Sequence, residues 1–197
     1  WPSERPSTEP DAGEVWCYTS RFSYFPGERV DFHLSATTPH FSLTITRDGS
    51  KPEVVHVAEN LVTDQRPTPL DAYAKGCGWP VGYSWTIPDS LASGFYLVAV
   101  RTTQPSGEIW EREHFFVVKA PAGRKNRIAL VVTTSTMLAY NDWGGANHYR
   151  GLGNDPRNDA ASPLSSTQRP IARGMLKKPA GAPREANHLT LPIGGAP

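Results

Sequence analysis

The segment Thr133–Gly145 holds the side chains of this sequence that are best suited to binding a ligand. It reads T-T-S-T-M-L-A-Y-N-D-W-G-G, so hydroxyl, amide, carboxylate and aromatic groups precede two glycines that let a backbone approach a ligand closely. It follows the apolar run Ile128–Val132, and ligands of open α/β sheets bind beyond the carboxyl ends of the strands. The alternative is an ordinary surface loop in which Tyr140 and Trp143 fill a hydrophobic gap.

Several familiar catalytic and cofactor motifs are absent from the sequence. Neither G-x-G-x-x-G nor G-x-x-x-x-G-K-[ST] occurs, so Gly144-Gly145 is not a nucleotide-binding fingerprint. Ser135 lacks the G-x-S-x-G context of a hydrolase nucleophile. The six histidines are scattered and form neither H-x-x-x-H nor H-E-x-x-H, so we do not expect a histidine-rich zinc site in this chain.

A period of two residues dominates from Val15 to Lys119 and predicts an antiparallel β-sandwich. Turn signals such as Asp48-Gly49 separate the short strands, and a span of roughly 105 residues fits the usual size of an immunoglobulin-like domain. Cys17 and Cys77 either bridge this sandwich or remain two buried free thiols. We expect its interior to contain Val30, Phe32, Leu34, Phe41, Leu43, Ile45, Trp85, Tyr96 and Val98.

The remaining sequence divides into an arm, a linker and a second domain. We predict a flexible or wrapping arm at 1–13, the sandwich at 14–119, a linker at 120–126, and the start of an α/β domain with a Gly/Pro-rich tail at 127–197. Ile128–Val132 is typical of a strand buried on both faces of a parallel sheet, although it could also be a last sandwich strand. After Gly151 we find no convincing helix and at most one short strand, His188–Leu191. The neighbours of a parallel strand must therefore come from another polypeptide.

Composition excludes several classes of protein. In 197 residues, 20 Lys and Arg balance 19 Asp and Glu, and a net charge of +1 argues against electrostatic capture of nucleic acid or an anionic membrane. With 17 Gly and 19 Pro a helical bundle is not expected, and no apolar run reaches the roughly 18–20 residues of a membrane span, so we expect a cytoplasmic protein. We expect the basic residues of the tail to solubilise it or to pair with acidic groups of a partner subunit; they are Arg169, Arg173, Lys177, Lys178 and Arg184.

Four stretches resemble one family. Thr134–Tyr149 resembles the T-x-x-A-Y-N-x-x-G-G-x-x-x-Y region of the N,N-dimethylformamidase large (beta) subunit family, and Ser166–Pro170 is similar to its S-x-x-R-P segment. Pro26–Val30 resembles the P-G-E-x-V lead-in to a strand, and Ile87–Tyr96 resembles the I-P-x…S-G-x-Y strand pair. The resemblance covers roughly residues 14 to 170 and is most specific in the A-Y-N-D-W-G-G-A-N-H-Y stretch.

This resemblance implies an Ig-like domain followed by an α/β domain similar to glutamine amidotransferases. It also implies hydrolysis of small N-substituted amides at a mononuclear iron, Fe³⁺, held by two tyrosines and a glutamate, of which one tyrosine maps onto Tyr140. Asn141 and Asp142 are then candidate catalytic groups that orient the ligand or a bound water. The other ligands are expected in a second polypeptide. The predicted substrate pocket comprises Thr134, Thr136, Trp143, Gly144, Gly145 and Tyr149.

Two hypotheses of different classes follow. In the first, the chain is the amino-terminal piece of a split or cleaved amidase of the dimethylformamidase type and contributes one wall of its active site. In the second, it is a non-catalytic β-sandwich that serves as a binding or structural module of a larger complex, and the segment Thr133–Gly145 has no catalytic partner.

Overall fold

The computed structural model describes residues 4–121, 123–124, 127–151 and 160–177, and this part of the chain is a β-sandwich with two short helices. None of its helices is long and apolar enough to cross a membrane. The strands are β1 (Val15–Thr19), β2 (Ser23–Tyr24), β3 (Arg29–Ala36), β4 (Phe41–Arg47), β5 (Glu53–Leu61), β6 (Val81–Thr86), β7 (Gly94–Thr103) and β8 (Ile109–Val118); α1 (Ala72–Lys75) lies between β5 and β6, and α2 (Thr134–Tyr140) follows β8.

The strands form two sheets of immunoglobulin-like order. One sheet runs β1-β3-β6 and the other β2-β8-β7-β4-β5. Pairing is antiparallel except between β2 and β8, which run parallel. In the lettering of immunoglobulin domains, β1-β3-β6 correspond to strands A-B-E, and β8-β7-β4 correspond to G-F-C with β5 as an added C′ edge. This is the immunoglobulin arrangement. The predicted mainly β fold is confirmed, whereas no α/β domain is seen among the described residues.

The interior predicted from the two-residue period is confirmed. All nine side chains are buried except Trp85, which is half-buried. Trp85 lies on β6, an edge strand, and its outer part stacks on His56 with ring centroids 5.1 Å apart. The two cysteines are free: Cys17 belongs to the sandwich core and Cys77 to a second cluster around Trp79. Burial raises the pKa of each thiol to about 12.

Tyr96 fastens the start of β7 to the preceding loop. Its hydroxyl donates a hydrogen bond to the carbonyl of Ala92, and its ring stacks on Phe116 with centroids 5.5 Å apart. A tyrosine at this corner, bonded to the backbone a few residues upstream, is a hallmark of immunoglobulin sandwiches.

Replacing this hydroxyl tests the corner. Tyr96→Phe keeps the ring but leaves the Ala92 carbonyl without its donor, so we expect the free energy of unfolding in urea to fall by about 1 kcal/mol. Tyr73→Phe is the control, because the half-buried Tyr73 hydroxyl makes no hydrogen bond with described residues; its effect should stay below about 0.5 kcal/mol. Equal effects of the two substitutions would contradict the role of the corner.

The apolar run Ile128–Val132 joins neither sheet in the described structure. Its side chains face outward, with Ile128 86%, Leu130 72% and Val131 83% exposed. The alternative of a last sandwich strand is therefore wrong. The parallel strand stays a prediction, since a strand forms only beside neighbours. The short strand predicted at His188–Leu191 lies outside the described residues.

Candidate active site

Helix α2 carries Tyr140 as its last residue. The sequence does not predict this helix, because Thr134, Ser135 and Thr136 are weak helix formers and no side chain caps its first turn. Tertiary contacts compensate. The Ser165 hydroxyl donates to the Leu138 carbonyl at 3.1 Å, and the backbone N–H of residue 141 closes the last turn. The position of Tyr140 thus depends on the tail as well as on the helix.

Tyr140 and Tyr149 stand side by side at the surface. Their rings stack with centroids 4.5 Å apart, and they are 54% and 64% exposed. Interaction with Tyr140, first through a side-chain hydrogen bond and then through its charge, raises the pKa of Tyr149 above its ordinary value. The pair therefore offers an accessible phenol oxygen with a second hydroxyl beside it.

Asn141 and Asp142 turn towards the protein. The buried Asn141 amide donates through Nδ2 to the Pro170 carbonyl at 3.0 Å, and its Oδ1 accepts from the N–H groups of Trp143 and Ala172. The Asp142 carboxylate is buried and pairs with the Arg150 guanidinium. These contacts orient the turn that follows Tyr140. The catalytic role predicted for both residues stays a prediction.

Trp143 fills a gap in the core, as the surface-loop alternative supposed. Its fully buried ring meets Trp16 and Trp79 edge to face, with centroids 5.8 and 5.9 Å apart. The two following glycines have positive φ, +85° at Gly144 and +124° at Gly145, which favours glycine at both positions. Packing accounts for the position of Trp143 in this chain, and its pocket role is untested.

The other predicted pocket residues differ in exposure. Gly144 and Gly145 are buried, Thr134 is half-buried, and Thr136 and Tyr149 are exposed. The structure therefore brings Tyr140 and Tyr149 together at the surface, while the two glycines are buried in the turn between them in sequence. The backbone approach that the glycines allow is to the chain's own arm, because the Gly144 N–H donates to the Glu4 carbonyl at 2.8 Å.

Arg169 joins two of the four stretches that carried the family resemblance, Thr134–Tyr149 and Ser166–Pro170. It is only 1% exposed, and its guanidinium donates to the carbonyls of Asn141 at 2.8 Å, of Ala146 at 3.4 Å and of Trp143. Desolvation lowers its pKa to about 10, so it remains a cation at neutral pH. Arg169 was expected to solubilise the tail or to pair with a partner, and that expectation is wrong. Its position in the S-x-x-R-P segment was the one feature of the sequence that could have indicated a structural role for Arg169.

The described residues do not by themselves form a recognisable metal site. They contain no group of three or more His, Cys, Asp or Glu side chains that could hold a metal ion. Tyr140 nevertheless fits one ligand position, because its oxygen is accessible and a phenolate is a hard oxygen donor suited to Fe³⁺, as in the tyrosine-ligated haem iron of catalase.

The chain is thus an immunoglobulin-like sandwich with a buried turn, residues 141–147, packed against it; we call this segment the motif turn. A family model described as N,N-dimethylformamidase beta subunit-like, C-terminal, matches residues 43–190. The match spans more than half of the chain, so the chain belongs to this family, and the resemblance noted in the sequence is confirmed.

Two solved structures show distant similarity to this chain. Murine CRIg is 13% identical with a TM-score of 0.36, and the match covers 54% of this chain and 98% of that chain. The PmoD soluble domain from Methylocystis sp. is 15% identical with a TM-score of 0.32, and the match covers 53% and 89%. Comparison with curated proteins gives no significant match.

Proposed function

We propose that this chain is part of an iron-dependent amidohydrolase of the dimethylformamidase type, and that Tyr140 is one ligand of its mononuclear Fe³⁺. The observation that carries the proposal is the exposed Tyr140–Tyr149 pair at the end of α2, within the motif of the family to which the chain belongs. Zinc is a poorer fit, since it favours nitrogen and sulfur donors.

The chain's own residues would bind and orient at this site. Tyr140 would provide the anionic oxygen, and the stacked Tyr149 ring would fix its orientation while the exposed side remains open to a small N-substituted amide. Asn141 and Asp142 hold the turn behind the tyrosine through Pro170 and Arg150. When bound, the ferric ion would act as a Lewis acid that polarises the amide carbonyl and activates a water.

A second polypeptide belongs to the same proposal. The family is described as beta-subunit-like, and the outward-facing Ile128, Leu130 and Val131 are unpaired in the described structure. Adding strands on both edges of Ile128–Val132 would bury these side chains, at about 25 cal/mol per Å² of apolar surface. It would also bring the partner's residues to the carboxyl end of that strand, where open α/β sheets bind their ligands.

Tyr140→Phe in the complete assembly tests this function. The substitution keeps the ring and removes the ligand oxygen, so we expect loss of bound iron, of phenolate-to-iron absorption and of amide hydrolysis. Tyr149→Phe is the matched control: it removes only the neighbouring hydroxyl and should retain iron with weaker binding. Full iron content and undiminished hydrolysis in Tyr140→Phe would remove Tyr140 from the site and leave the chain as a non-catalytic module.

A further inference from the structure

We infer that Glu4 and Arg5 are positioning residues that strap the turn after Tyr140 to the sandwich. We call these two residues the strap. Its effect on metal binding rests on the proposed function, whereas its contacts with the turn do not. Neither residue belongs to the family motifs quoted from the sequence.

Glu4 ties three parts of the chain together with three different oxygens. Its backbone carbonyl accepts from the Gly144 N–H at 2.8 Å. Its Oε1 accepts from the Arg112 guanidinium at 2.9 Å, and its Oε2 accepts from the Arg173 N–H at 2.8 Å. The motif turn, strand β8 and the tail thus meet at a single residue, the turn at its backbone and the other two at its side chain.

Arg5 completes the strap from the other side of the same glycine. Its guanidinium donates to the carbonyl of Leu70 at 2.6 Å and to the carbonyl of Gly144. Both backbone groups of Gly144 are therefore held by the strap, and the left-handed glycine cannot rotate without breaking them. The turn connects back to Tyr140, whose carbonyl accepts from Asn147 Nδ2 at 3.1 Å.

The carboxylate of Glu4 also serves a largely buried cation. The Arg112 guanidinium lies over the rings of Trp16 and Trp110, 4.8 and 3.7 Å from their centroids, and its side chain is only 10% exposed. Desolvation lowers the pKa of Arg112, and the charge of Glu4 opposes that shift. Removing the Glu4 charge therefore leaves a desolvated guanidinium without this partner, which weakens the attachment of the strap to β8.

Hydrogen exchange of the whole chain tests the strap. We expect Glu4→Gln and Arg5→Gln to accelerate exchange in peptides spanning 141–147 by about tenfold, while peptides from β7 exchange as in the wild type. Glu9→Gln, at an exposed position of the same arm, is the control and should change neither. Unchanged exchange at 141–147, or equal acceleration in β7, would overturn the inference.

Measuring iron binding by the assembly then shows whether the strap positions Tyr140 or only stabilises the fold. With the turn loosened, the dissociation constant for Fe³⁺ should rise about tenfold and the phenolate-to-iron absorption band should shift, whereas Glu9→Gln should match the wild type. Wild-type iron affinity and an unshifted band in variants with accelerated exchange would reduce the strap to a structural role. If the wild-type assembly binds no iron, the proposed function fails, and the exchange result still decides whether the strap exists.

Discussion

Arg169→Ala should lower the free energy of unfolding by about 3 kcal/mol and release the turn 141–147 from the tail. The substitution removes every donor from the carbonyls of Asn141, Trp143 and Ala146, and it leaves the Ser165 hydroxyl without this partner. Unpaired buried carbonyls are costly, about 1–3 kcal/mol each, although part of that cost is offset because the desolvated guanidinium is also removed.

Urea unfolding combined with limited proteolysis measures both effects. Arg101→Ala is the matched control, since that guanidinium forms an exposed pair with Glu111 and should contribute less than about 1 kcal/mol. Arg169→Lys should behave like Arg169→Ala, because an ammonium group cannot reach the same set of acceptors. An Arg169→Ala protein with control-like stability and an uncleaved turn would show that the guanidinium does not hold the two motifs together.

Stability should fall as the pH drops below about 6.5, because His114 is held neutral in the core. It is fully buried, and desolvation lowers its pKa from 6.5 to about 3. Its Nε2 accepts from the Thr19 N–H at 3.2 Å and therefore carries no proton itself. Between pH 6.5 and about 3 the unfolded chain binds a proton that the folded chain excludes, so lowering the pH favours unfolding. The loss should reach about 3 kcal/mol near pH 4.

Urea unfolding at several pH values between 7 and 4 isolates this contribution. The carboxylates of the protein also respond to acid, so the informative quantity is the difference in slope between the wild type and His114→Gln. The variant should be less stable at pH 7 but less sensitive to acid, whereas His40→Gln, at an exposed position, should keep the wild-type slope. Identical slopes for the wild type and His114→Gln would show that His114 titrates normally.

The sandwich could be predicted from sequence because its pattern is local. Alternation along β3 and β4 separates inside from outside, and Phe32 and Ile45 are buried as predicted. Trp85 departs from the pattern only because its strand is an edge, which depends on the order of strands in space. Strand order, in turn, is decided by pairings between distant parts of the chain, and no single strand encodes it.

The candidate site was predictable in part. The motif located Tyr140, but the environment of Trp143 depends on Trp16 in β1 and on Trp79 in the loop before β6, both far away in the sequence. An arginine in a Gly/Pro-rich segment is normally predicted to be exposed. The burial of Arg169 depends on backbone carbonyls elsewhere in the chain, such as that of Asn141, which the local sequence does not reveal. Helix α2 was missed for the same reason, since its stability comes from the tail and not from its own residues.

The two buried thiols make the chain well suited to site-specific labelling. Alkylating reagents attack the thiolate, and with pKa values of about 12 both Cys17 and Cys77 are protonated at neutral pH as well as shielded by packing. A cysteine introduced at the exposed Val131 would then be the reactive thiol of the native chain. A fluorophore or spin label placed there would report the arrival of a neighbouring strand without removing either natural cysteine.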